Sequence, residues 1–471
     1  KDLSRTSVHL EALVSKCRKG GAEVIAISPT GDTGPCDVSI RIRPGTDRFL
    51  AAALIRLLMK RKGIPEAIAE RASNLEAFRE IIQSRSVEEF LALCHVSESD
   101  LEKLYAAYSG AGPVATVMGW GLQRHRFGAE NVRFINGLAF LSGNIGRSGG
   151  GSYFNVGSLR NFNLGWAALR ENERQRTLLL PAIGREIIEA SDPPIRMIWA
   201  NGCNVINQAP DSMTTAWAFE RVGFKVVVDG FMTDTAERAD LVLPCALMPE
   251  RETIVGSFLH NFVGYAGKAI DPPGEARDDY SILADLARRL GIELPKREEI
   301  LASSLRSDYL DVSLEDLKQR GFAEAKRSCV AFAGMCFNHP DGRYRFPEAI
   351  HEEPAPPEGY PLRFLTLIRK DAIHSQILPE DQMEIPTVCI SPENPVLAKI
   401  RPEAAVFVAS PLGRLRVRVE TDPSLQPEVL VYRRGDWMKC FGGANQLIEP
   451  LLTDAGEGAA FYSQYVRLEQ D

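Results

Sequence analysis

Glycine-rich and polar loops follow several apolar segments of this sequence, and their residue types suit a phosphate or a purine-like ring. Examples are MGWGLQRHRFG from Met118, NGCN from Asn201 and VVVDGFMTDTAERAD from Val226. Glycine lets the backbone approach an anion closely, and a helix N-terminus beside such a loop favours negative charge. Aspartate and asparagine at a strand end can pair with the donor groups of a purine or pterin. The loops therefore indicate a nucleotide-like ligand.

Alternating strands and helices must position these loops. Apolar runs predict buried strands at EVIAI from Glu23, at Ile195–Ala200 and at Lys225–Val228. Further strands are predicted at the alternating segment SIRIR from Ser39 and at the apolar segment near Val114. Apolar periodicity predicts an amphipathic helix with Thr46 or Asp47 as N-cap, a run of helices over 64–110 and a long helix over about 129–141. This alternation predicts a parallel, doubly wound α/β architecture.

One pattern occurs twice in the chain. From Gly21 the sequence has GAEVIAIS and then DTGPCD, and from Gly223 it has GFKVVVD and then DTAERAD. Each copy contains a strand, a loop with Asp-Thr, a further Asp four or five residues on, and a second apolar stretch. The repeat predicts two similar α/β lobes, each able to hold one nucleotide-like ligand.

The pattern changes after a Pro-rich segment, EEPAPPEGYP, at residues 352–361, which we predict to be a linker. Short strand-like segments follow it: LRFLTLI, EIPTVCI, AAVFVAS, GRLRVRVE and EVLVYR. Their spacing is typical of a barrel or sandwich. We therefore predict an α/β region over 1–351, the linker, and a β-barrel domain over 362–471.

Composition excludes some classes of function. The chain of 471 residues has a net charge of −7, which disfavours a general nucleic-acid-binding protein. No apolar run is long enough to span a bilayer. The chain begins with a charged helical pattern and without Met, so we expect a fragment or a processed product, and no compartment is predicted.

Cysteine usage predicts no metal site within the chain. The nine Cys residues are scattered and include no C-x-x-C pair. This distribution is typical of reduced, mostly buried thiols, and it lacks the spacing of a zinc or iron–sulfur motif. No metal ligand is therefore predicted in this sequence.

The order and spacing of these segments resemble the DMSO reductase family of molybdenum and tungsten enzymes. The most specific segments are RIRPGTD, MGWGLQRHRFG with LSGNIGRSGGG, WANGCNVINQAPD, VVVDGFMTDTAERADLVLP, TLIRKDAIHSQ and WMKCFGGANQLI. The resemblance covers nearly the whole chain. It implies interleaved doubly wound α/β domains followed by a C-terminal β-barrel. It also implies two molybdopterin guanine dinucleotides that together hold one molybdenum or tungsten.

The resemblance further implies a set of cofactor-binding residues in these loops. Those in the α/β region are Asp2, Thr6, Ser28, Thr30, Gly45, Thr46, Asp47, Met118, Gln123, Asn204, Asp229 and Asp279. Those in the last domain are Thr366, His374, Ser375, Trp437, Asn445 and Tyr462.

Structural roles compete with binding at several of these positions. Thr46 and Asp47 could simply cap a helix, and so could Asp279, for which Asp278 could substitute. Asp229 could close an Asx turn. Core packing is the alternative for Met118 and for the ring of Trp437. His125 could line a substrate funnel or be an ordinary core histidine.

In the family, the metal ligand and a [4Fe–4S] motif precede the segment with which this sequence begins. The resemblance therefore implies that the iron–sulfur cluster lies upstream. It implies a small-molecule substrate and an iron–sulfur electron-transfer protein or subunit as partners. Formate dehydrogenases of the family carry an arginine shortly after the Gly-rich loop; here Val156 stands at that position and Arg160 is displaced.

Two other classes of protein compete with the enzyme hypothesis. The same fold serves as a metal-free scaffold subunit of respiratory complex I. A nicotinamide-dependent enzyme of Rossmann type would need G-x-G-x-x-G between a strand and a helix. The segment GWGLQR has the first two glycines and lacks the third, so this class is disfavoured.

Overall fold

Two α/β lobes and a barrel make up the protein. Lobe A contains residues 3–155 and a return segment, 333–351; lobe B contains 176–326; and the barrel contains 362–470. The computed structural model describes residues 3–155, 157–167, 176–401 and 403–470. The chain builds most of lobe A, then lobe B, and then returns to lobe A before the barrel. The predicted interleaved α/β architecture with a C-terminal barrel is confirmed.

Helices dominate lobe A. They are α1 (Leu3–Thr6), α2 (Val8–Lys19), α3 (Asp47–Lys62), α4 (Glu66–Ala69), α5 (Leu75–Gln83), α6 (Val87–Cys94), α7 (Glu98–Ser109) and α8 (Gly128–Leu141). The strands are β1 (Ile25–Ser28), β2 (Val38–Arg41), β3 (Ala115–Val117) and β4 (Gly151–Tyr153). β1 pairs with β2 and β3 pairs with β4, both in parallel. The positions agree with the predicted strands and helices of this region, except that β4 lies in a segment predicted as a loop.

Helix α3 is the centre of lobe A. Ten of its 16 residues are buried, because its sequence is apolar on nearly every side and other helices pack around it. It is also the longest helix in the described ranges, and no helix there is long and apolar enough to cross a membrane.

The return segment completes the core of lobe A with aromatic rings. The ring of Phe346 stacks on Phe78 with centroids 4.3 Å apart, and Tyr344 stacks on Phe140 at 4.4 Å. Asn74 fixes the segment, since its Oδ1 accepts a hydrogen bond from the backbone N–H of Phe346 at 2.9 Å. Because the return segment belongs to the core of lobe A, lobe B is an insertion between two parts of lobe A.

Lobe B contains a parallel sheet and a small antiparallel sheet. Its helices are α9 (Ile183–Glu189), α10 (Val205–Gln208), α11 (Ser212–Arg221), α12 (Asp279–Arg289), α13 (Arg297–Ser304) and α14 (Leu314–Arg320). Its strands are β5 (Met197–Asn201), β6 (Phe224–Asp229), β7 (Leu241–Pro244), β8 (Thr253–Val255), β9 (Phe262–Ala266) and β10 (Phe322–Glu324). The parallel sheet has the order β5-β6-β7, as the α/β pattern predicts.

The antiparallel sheet of lobe B, with the order β10-β9-β8, was not predicted. Its strands are only three to five residues long. Such short strands give no alternation long enough to recognise, and their pairing comes from tertiary contacts.

A closed barrel forms the last unit, with the order β11-β15-β12-β14-β13-β16. The strands are β11 (Leu362–Leu367), β12 (Thr387–Ile390), β13 (Val406–Ser410), β14 (Gly413–Thr421), β15 (Val429–Arg433) and β16 (Tyr465–Gln470). The first five match the predicted strands. β16 was not predicted, because half of its residues are polar; it becomes a strand by pairing with both β11 and β13.

The repeated sequence pattern forms equivalent structures in the two lobes. Each copy is a parallel strand pair, β1–β2 in lobe A and β6–β7 in lobe B. The later Asp of each copy accepts a backbone N–H at the start of the first strand: Asp37 from Val24 and Asp240 from Lys225. The repeat therefore reflects a shared way of closing the strand-loop-strand unit.

The Asp-Thr loops of the repeat both contact the barrel. Asp32 forms an ion pair with Arg433 at 2.5 Å. Asp234 is fully buried and accepts the backbone N–H groups of Met438 and Lys439, each at 3.0 Å. One acidic residue from each lobe thus helps to dock the barrel.

Asp234→Asn is expected to loosen the barrel, because an amide group cannot accept two converging N–H donors as a carboxylate does. The free energy that holds the barrel against lobe B should fall by about 2 kcal/mol. This corresponds to a roughly 30-fold increase in the amide exchange rate at Met438 and Lys439. Glu237→Gln is the control, since Glu237 pairs with Lys439 on the surface, where ion pairs contribute less than about 1 kcal/mol. Equal exchange in both variants would contradict the docking role of Asp234.

The prediction that the cysteines are mostly buried was wrong. Of the nine thiols only Cys94 is buried, and Cys17, Cys329 and Cys336 are exposed. The others lie at intermediate depth. The described residues contain no group of three or more His, Cys, Asp or Glu side chains that could hold a metal ion.

Candidate functional site

The turn before α3 has the geometry of a ligand-binding loop. Gly45 has a φ of 78°, a conformation that favours glycine. Thr46 occupies the N-cap position of α3, but its Oγ1 donates to the carbonyl of Arg43 at 2.6 Å instead of capping the helix. Asp47 begins the helix, and burial raises the pKa of its carboxyl to about 6. The capping alternative therefore does not describe the Thr46 side chain.

His125 packs directly on this turn. A Cβ on Gly45 would lie 2.7 Å from Nδ1 of His125, so only glycine leaves room for the imidazole. His125 is buried, and its ring meets Tyr462 edge-on at 5.5 Å. Burial, followed by the nearby charges of Arg363 and Arg48, holds the pKa of His125 well below its usual value. A neutral imidazole therefore joins the turn to the barrel.

Ser28 and Thr30 lie buried at the carboxyl end of β1. They form a local turn, in which the N–H of Thr30 donates to Ser28 Oγ and the N–H of Asp32 donates to Thr30 Oγ1, both at 3.3 Å. The hydroxyls thus hold the loop in shape at the edge where a ligand would approach.

The predicted N-terminal contacts lie near this edge. Asp2 lies outside the described residues, and Thr6 is exposed at the end of α1. The neighbouring Arg5 pairs with Asp32 at 3.4 Å, and Asp32 also pairs with Arg433 of the barrel. The ion pairs bring α1, the β1 loop and the barrel together.

Met118 precedes a 3₁₀ helix, Trp120–Arg124, between β3 and α8, and Gln123 lies within that helix. Met118 is 4% exposed, which also agrees with the core alternative, whereas Gln123 is exposed. Gln123 borders a cavity of about 440 Å³. The 3₁₀ helix differs from the strand–loop–α-helix unit of a Rossmann nucleotide site, which further disfavours that class.

A cluster of basic side chains surrounds Tyr462 where lobe A meets the barrel. Arg434 donates from Nη1 to the Tyr462 hydroxyl at 3.0 Å and from Nε to His374 Nδ1 at 3.3 Å. Arg124 stacks on Phe461 with its guanidinium carbon 4.9 Å from the ring centroid. Among the described residues, no carboxylate lies within ion-pair distance of Arg124 or Arg434.

The charges in this cluster shift the pKa values of its members. Burial, followed by the charge of Arg434, lowers the pKa of Arg124 to about 10. Burial, followed by Arg434 and Arg124, lowers the pKa of His374 to about 4. Because positive charges lie here without acidic partners, the cluster of Arg124, Arg434 and His374 suits an anionic ligand.

Carboxylates gather at the carboxyl end of the parallel sheet in lobe B. Asp229 ends β6, and one of its oxygens accepts the N–H of Phe231 at 3.1 Å, so the predicted Asx turn does form. Burial raises the pKa of Asp229. Burial, followed by the charges of Asp279 and Asp229, raises the pKa of Cys245 after β7, so both carboxylates lie near this thiol.

The structure separates the roles of two adjacent acids. Asp278 is the N-cap of α12, and its carboxylate accepts the N–H of Ser281 at 2.9 Å. Asp279 instead turns towards the sheet, where it accepts from Asn201 Nδ2 at 3.1 Å and pairs with Arg251 at 2.7 Å. Asp279 is therefore the acid that lies at the strand ends as a candidate ligand contact, and Asp278 caps the helix.

Asn204 follows β5 and carries an unused donor. Its Oδ1 accepts from the Thr235 hydroxyl at 2.9 Å and from the Thr235 N–H at 3.3 Å. Its Nδ2 is buried and has no hydrogen-bond partner in the described part of the chain. A buried donor without a partner is costly, so the position is suited to an acceptor on a ligand.

Thr366 of β11 has the same property in the barrel. The residue is fully buried, and no partner for its Oγ1 lies among the described residues. Asn204 and Thr366 were both predicted as contacts, and they come from different units.

The other predicted barrel residues hold the barrel against lobe B. Trp437 is 4% exposed, and its Nε1 donates to the carbonyl of Ser375 at 2.8 Å. Gln208 Nε2 donates to Ser375 Oγ at 3.2 Å, and Asn445 Nδ2 donates to the carbonyls of Asn207 and Gln208. These polar atoms therefore form their hydrogen bonds within the protein. The bonds to Gln208 and Asn207 hold α10 against the barrel, next to Asn204.

The structure brings the predicted residues together in three groups. The first lies between lobe A and the barrel, around His125 and Tyr462. The second lies between α10 and the barrel, and the third at the carboxyl end of the lobe B sheet. The sequence did not indicate Arg124 and Arg434 as members; the only available signals were the arginine beside Gln123 and the Arg433–Arg434 doublet.

A pterin dinucleotide fits these groups chemically. It offers phosphate oxygens, for which the unpaired arginines are suited, and ring donors, for which the strand-end carboxylates are suited. The unused Asn204 Nδ2 and Thr366 Oγ1 supply further hydrogen-bonding capacity in buried positions.

Comparisons with known proteins show the family to which the chain belongs. The family model for molybdopterin oxidoreductases matches residues 3–289. The probable oxidoreductase YyaE of Bacillus subtilis (strain 168) is 30% identical over 504 residues, which cover 100% of this chain and 75% of YyaE. The chain therefore belongs to the molybdopterin oxidoreductase family, within the DMSO reductase family, and is a molybdenum or tungsten oxidoreductase by class.

More distant relatives share parts of the chain or its fold. The F420-dependent formate dehydrogenase subunit alpha of Methanocaldococcus jannaschii is 30% identical over 302 residues, which cover 59% of this chain and 44% of that subunit. Acetylene hydratase from Pelobacter acetylenicus superposes with a TM-score of 0.83 at 15% sequence identity, over 99% of this chain and 76% of the hydratase. The latter similarity shows the common fold.

Proposed function

We propose that the protein binds two molybdopterin guanine dinucleotides and oxidises or reduces a small molecule at the molybdenum or tungsten between them. The observation that carries this proposal is that two of the eight buried side-chain polar atoms without a partner in the described part of the chain, Asn204 Nδ2 and Thr366 Oγ1, belong to predicted cofactor contacts. Both belong to predicted contact residues, and the described protein supplies no partner for either.

Lobe B would hold one dinucleotide at the carboxyl end of its sheet. The carboxylates of Asp229 and Asp279 are acceptors for the donor edge of guanine, and Asn204 would donate from Nδ2 towards an acceptor nearer α10. Arg251 orients Asp279 through their ion pair at 2.7 Å. These side chains bind and orient the group without exchanging protons with it.

Lobe A would hold the second dinucleotide through the corresponding strand-loop-strand unit. Asp47, at the start of α3, takes the role of the guanine acceptor, and Ser28 and Thr30 shape the loop beside it. The cluster of Arg124 and Arg434 would then neutralise anionic groups at the barrel. The acceptor of lobe A therefore follows the repeated unit, at the start of α3, whereas Asp229 of lobe B lies within the unit at the end of β6.

The bound metal would supply oxygen-atom or hydride-equivalent transfer and the attendant redox change. The protein contributes binding, orientation and electrostatics. The cavity of about 440 Å³ beside Gln123 has the size of a small-molecule site and is lined by Arg124, Phe154 and Phe461. We further propose that an iron–sulfur protein or subunit exchanges electrons with the centre.

Metal and pterin analysis tests the proposal. Full-length protein produced anaerobically should contain close to one molybdenum or tungsten per chain, and oxidation should release a fluorescent pterin. Purified protein with neither metal nor pterin would contradict the proposal and would favour the scaffold alternative, in which the fold persists without a cofactor.

A further inference from the structure

We propose that Glu353, in the Pro-rich segment before the barrel, is a positioning residue that fixes the cofactor-binding loops around Gly45, His125 and Tyr462. The inference rests on the proposed function, since it assigns these loops to cofactor binding. Glu353 lies in the segment predicted from sequence as a linker, which contains no helix or strand. Its side chain is nevertheless only 5% exposed.

Two buried arginines from different units meet on this one carboxylate. Arg48 of α3 donates from Nη2 to Glu353 Oε1 at 3.2 Å, and Arg363 of β11 donates from Nη2 to Glu353 Oε2 at 3.0 Å. The side chain of Arg48 is fully buried and that of Arg363 is 5% exposed. Glu353 therefore joins lobe A to the barrel in a buried position.

Each arginine also holds the backbone of a predicted contact loop. Arg48 Nη1 donates to the carbonyl of Gly45 at 2.5 Å, and it also reaches Asn131 Oδ1 at 3.1 Å. Arg363 Nε donates to the carbonyl of Tyr462. Through these two guanidinium groups, Glu353 therefore holds the backbone at Gly45 in lobe A and at Tyr462 in the barrel.

His125 connects the same two loops. Arg363 Nη2 lies 3.3 Å from Nδ1 of His125, and because arginine can only donate, Nδ1 must be the acceptor. The imidazole proton is therefore on Nε2. Since His125 packs on Gly45 and against the ring of Tyr462, this bond fixes its tautomer and its orientation at the centre of the loops.

The balance of charge depends on Glu353. Arg48 has a second carboxylate nearby, Glu130 at 3.4 Å. Among the described residues, the only carboxylate within ion-pair distance of Arg363 is Glu353. Without Glu353, the Arg363 guanidinium would be buried with no counter-ion and would be expected to turn away from Tyr462 and His125.

The adjacent Glu352 provides a matched control. It carries the same charge one residue earlier, but its side chain is 55% exposed and pairs with Arg85 at the surface. Glu352→Gln removes one negative charge from the same segment and leaves the buried arginines untouched.

The test combines the mutation with the presence of the cofactor. Full-length wild type, Glu353→Gln and Glu352→Gln are each prepared with cofactor and, from cells that cannot make the pterin, without it. We expect Glu353→Gln to carry at least tenfold less pterin per chain than wild type. We also expect the increase in Tm that the cofactor gives wild type to fall by half or more in Glu353→Gln, and Glu352→Gln to match wild type in both measurements.

A merely structural role gives a different result. In that case Glu353→Gln would lower the Tm of the loaded and empty forms equally and leave pterin content unchanged, which would overturn the inference. If Glu353→Gln does not fold, Glu353→Asp replaces it, since it keeps the charge but shortens the side chain by one methylene. A reduced Tm increase in Glu353→Asp supports the inference, and an increase equal to that of wild type overturns it.

The proposed function can fail separately in the same experiment. If wild type prepared from cells that make the pterin carries none, both the proposed function and this inference are overturned. If that wild type carries pterin and Glu353→Gln matches it in pterin content and in the Tm increase, the inference alone is overturned.

Discussion

Replacing Asp229 with asparagine is expected to accelerate the release of guanine nucleotide from lobe B on the order of 100-fold. A half-buried carboxylate can accept two hydrogen bonds from a guanine edge. It should contribute about 3 kcal/mol more to the binding free energy than a side chain that can accept only one of them. Asparagine keeps the size of the side chain and replaces one acceptor with a donor. The Asx turn to Phe231 can persist in the variant, because the amide oxygen still accepts that N–H.

The measurement is the rate at which loaded protein loses its guanine nucleotide, determined as GMP after acid hydrolysis of the protein that remains. Asp278→Asn is the control, since Asp278 caps α12 and pairs with Arg297 rather than facing the strand ends. Because asparagine caps a helix about as well as aspartate, this variant should lose mainly the ion pair with Arg297, about 1 kcal/mol or less, without changing the release rate. Similar release from both variants would exclude Asp229 as the base contact.

Cofactor retention by lobe A is expected to depend on pH below about 6. Burial raises the pKa of Asp47 to about 6 in the empty protein. A guanine edge donates only to the ionised carboxylate, so bound base lowers this pKa and binding below pH 6 must release a proton. Affinity should therefore fall up to tenfold per pH unit below about 6 and stay level above it, giving about 100-fold between pH 6 and pH 4.

The stability of the empty protein should change with pH in the opposite direction. Because the pKa of Asp47 is raised on folding, the folded form holds this proton more tightly than the unfolded chain does. The contribution of Asp47 to the free energy of unfolding is then greatest at low pH and falls as pH rises from about 4 to about 6. Asp47→Asn should remove both pH dependences, whereas Asp37→Asn, at the exposed strand-end acid, should preserve them. A retained slope in Asp47→Asn would assign the titration to another group.

Sequence patterns predicted the elements with strong local signals. The central helix α3 was recognisable because AAALIRLL is apolar and a polar turn precedes it, and the strand ending at Asp229 was a continuous apolar run. The closing strand β16 was not predicted, since half of its residues are polar and it pairs with strands distant in sequence. The small antiparallel sheet of lobe B was not predicted, since its strands have only three to five residues and give no recognisable alternation.

The candidate site divides in the same way. Strand-end residues such as Asn204 and Asp229 could be selected from sequence, because parallel strands bring their carboxyl ends to one edge. The basic cluster of Arg124 and Arg434 could not, because two arginines 310 positions apart are brought together only when the barrel docks. Glu353 was hidden for a related reason: its segment has the composition of a linker, and its burial depends on both arginines.

The ratio of guanine nucleotide to metal in the full-length protein tests the central claim most directly. Acid hydrolysis releases GMP for chromatography, and elemental analysis of the same sample gives molybdenum and tungsten. Two lobes that each hold one dinucleotide around a single metal predict two GMP per metal. A ratio of one, or metal without GMP, would contradict a cradle in which both lobes bind a guanine dinucleotide.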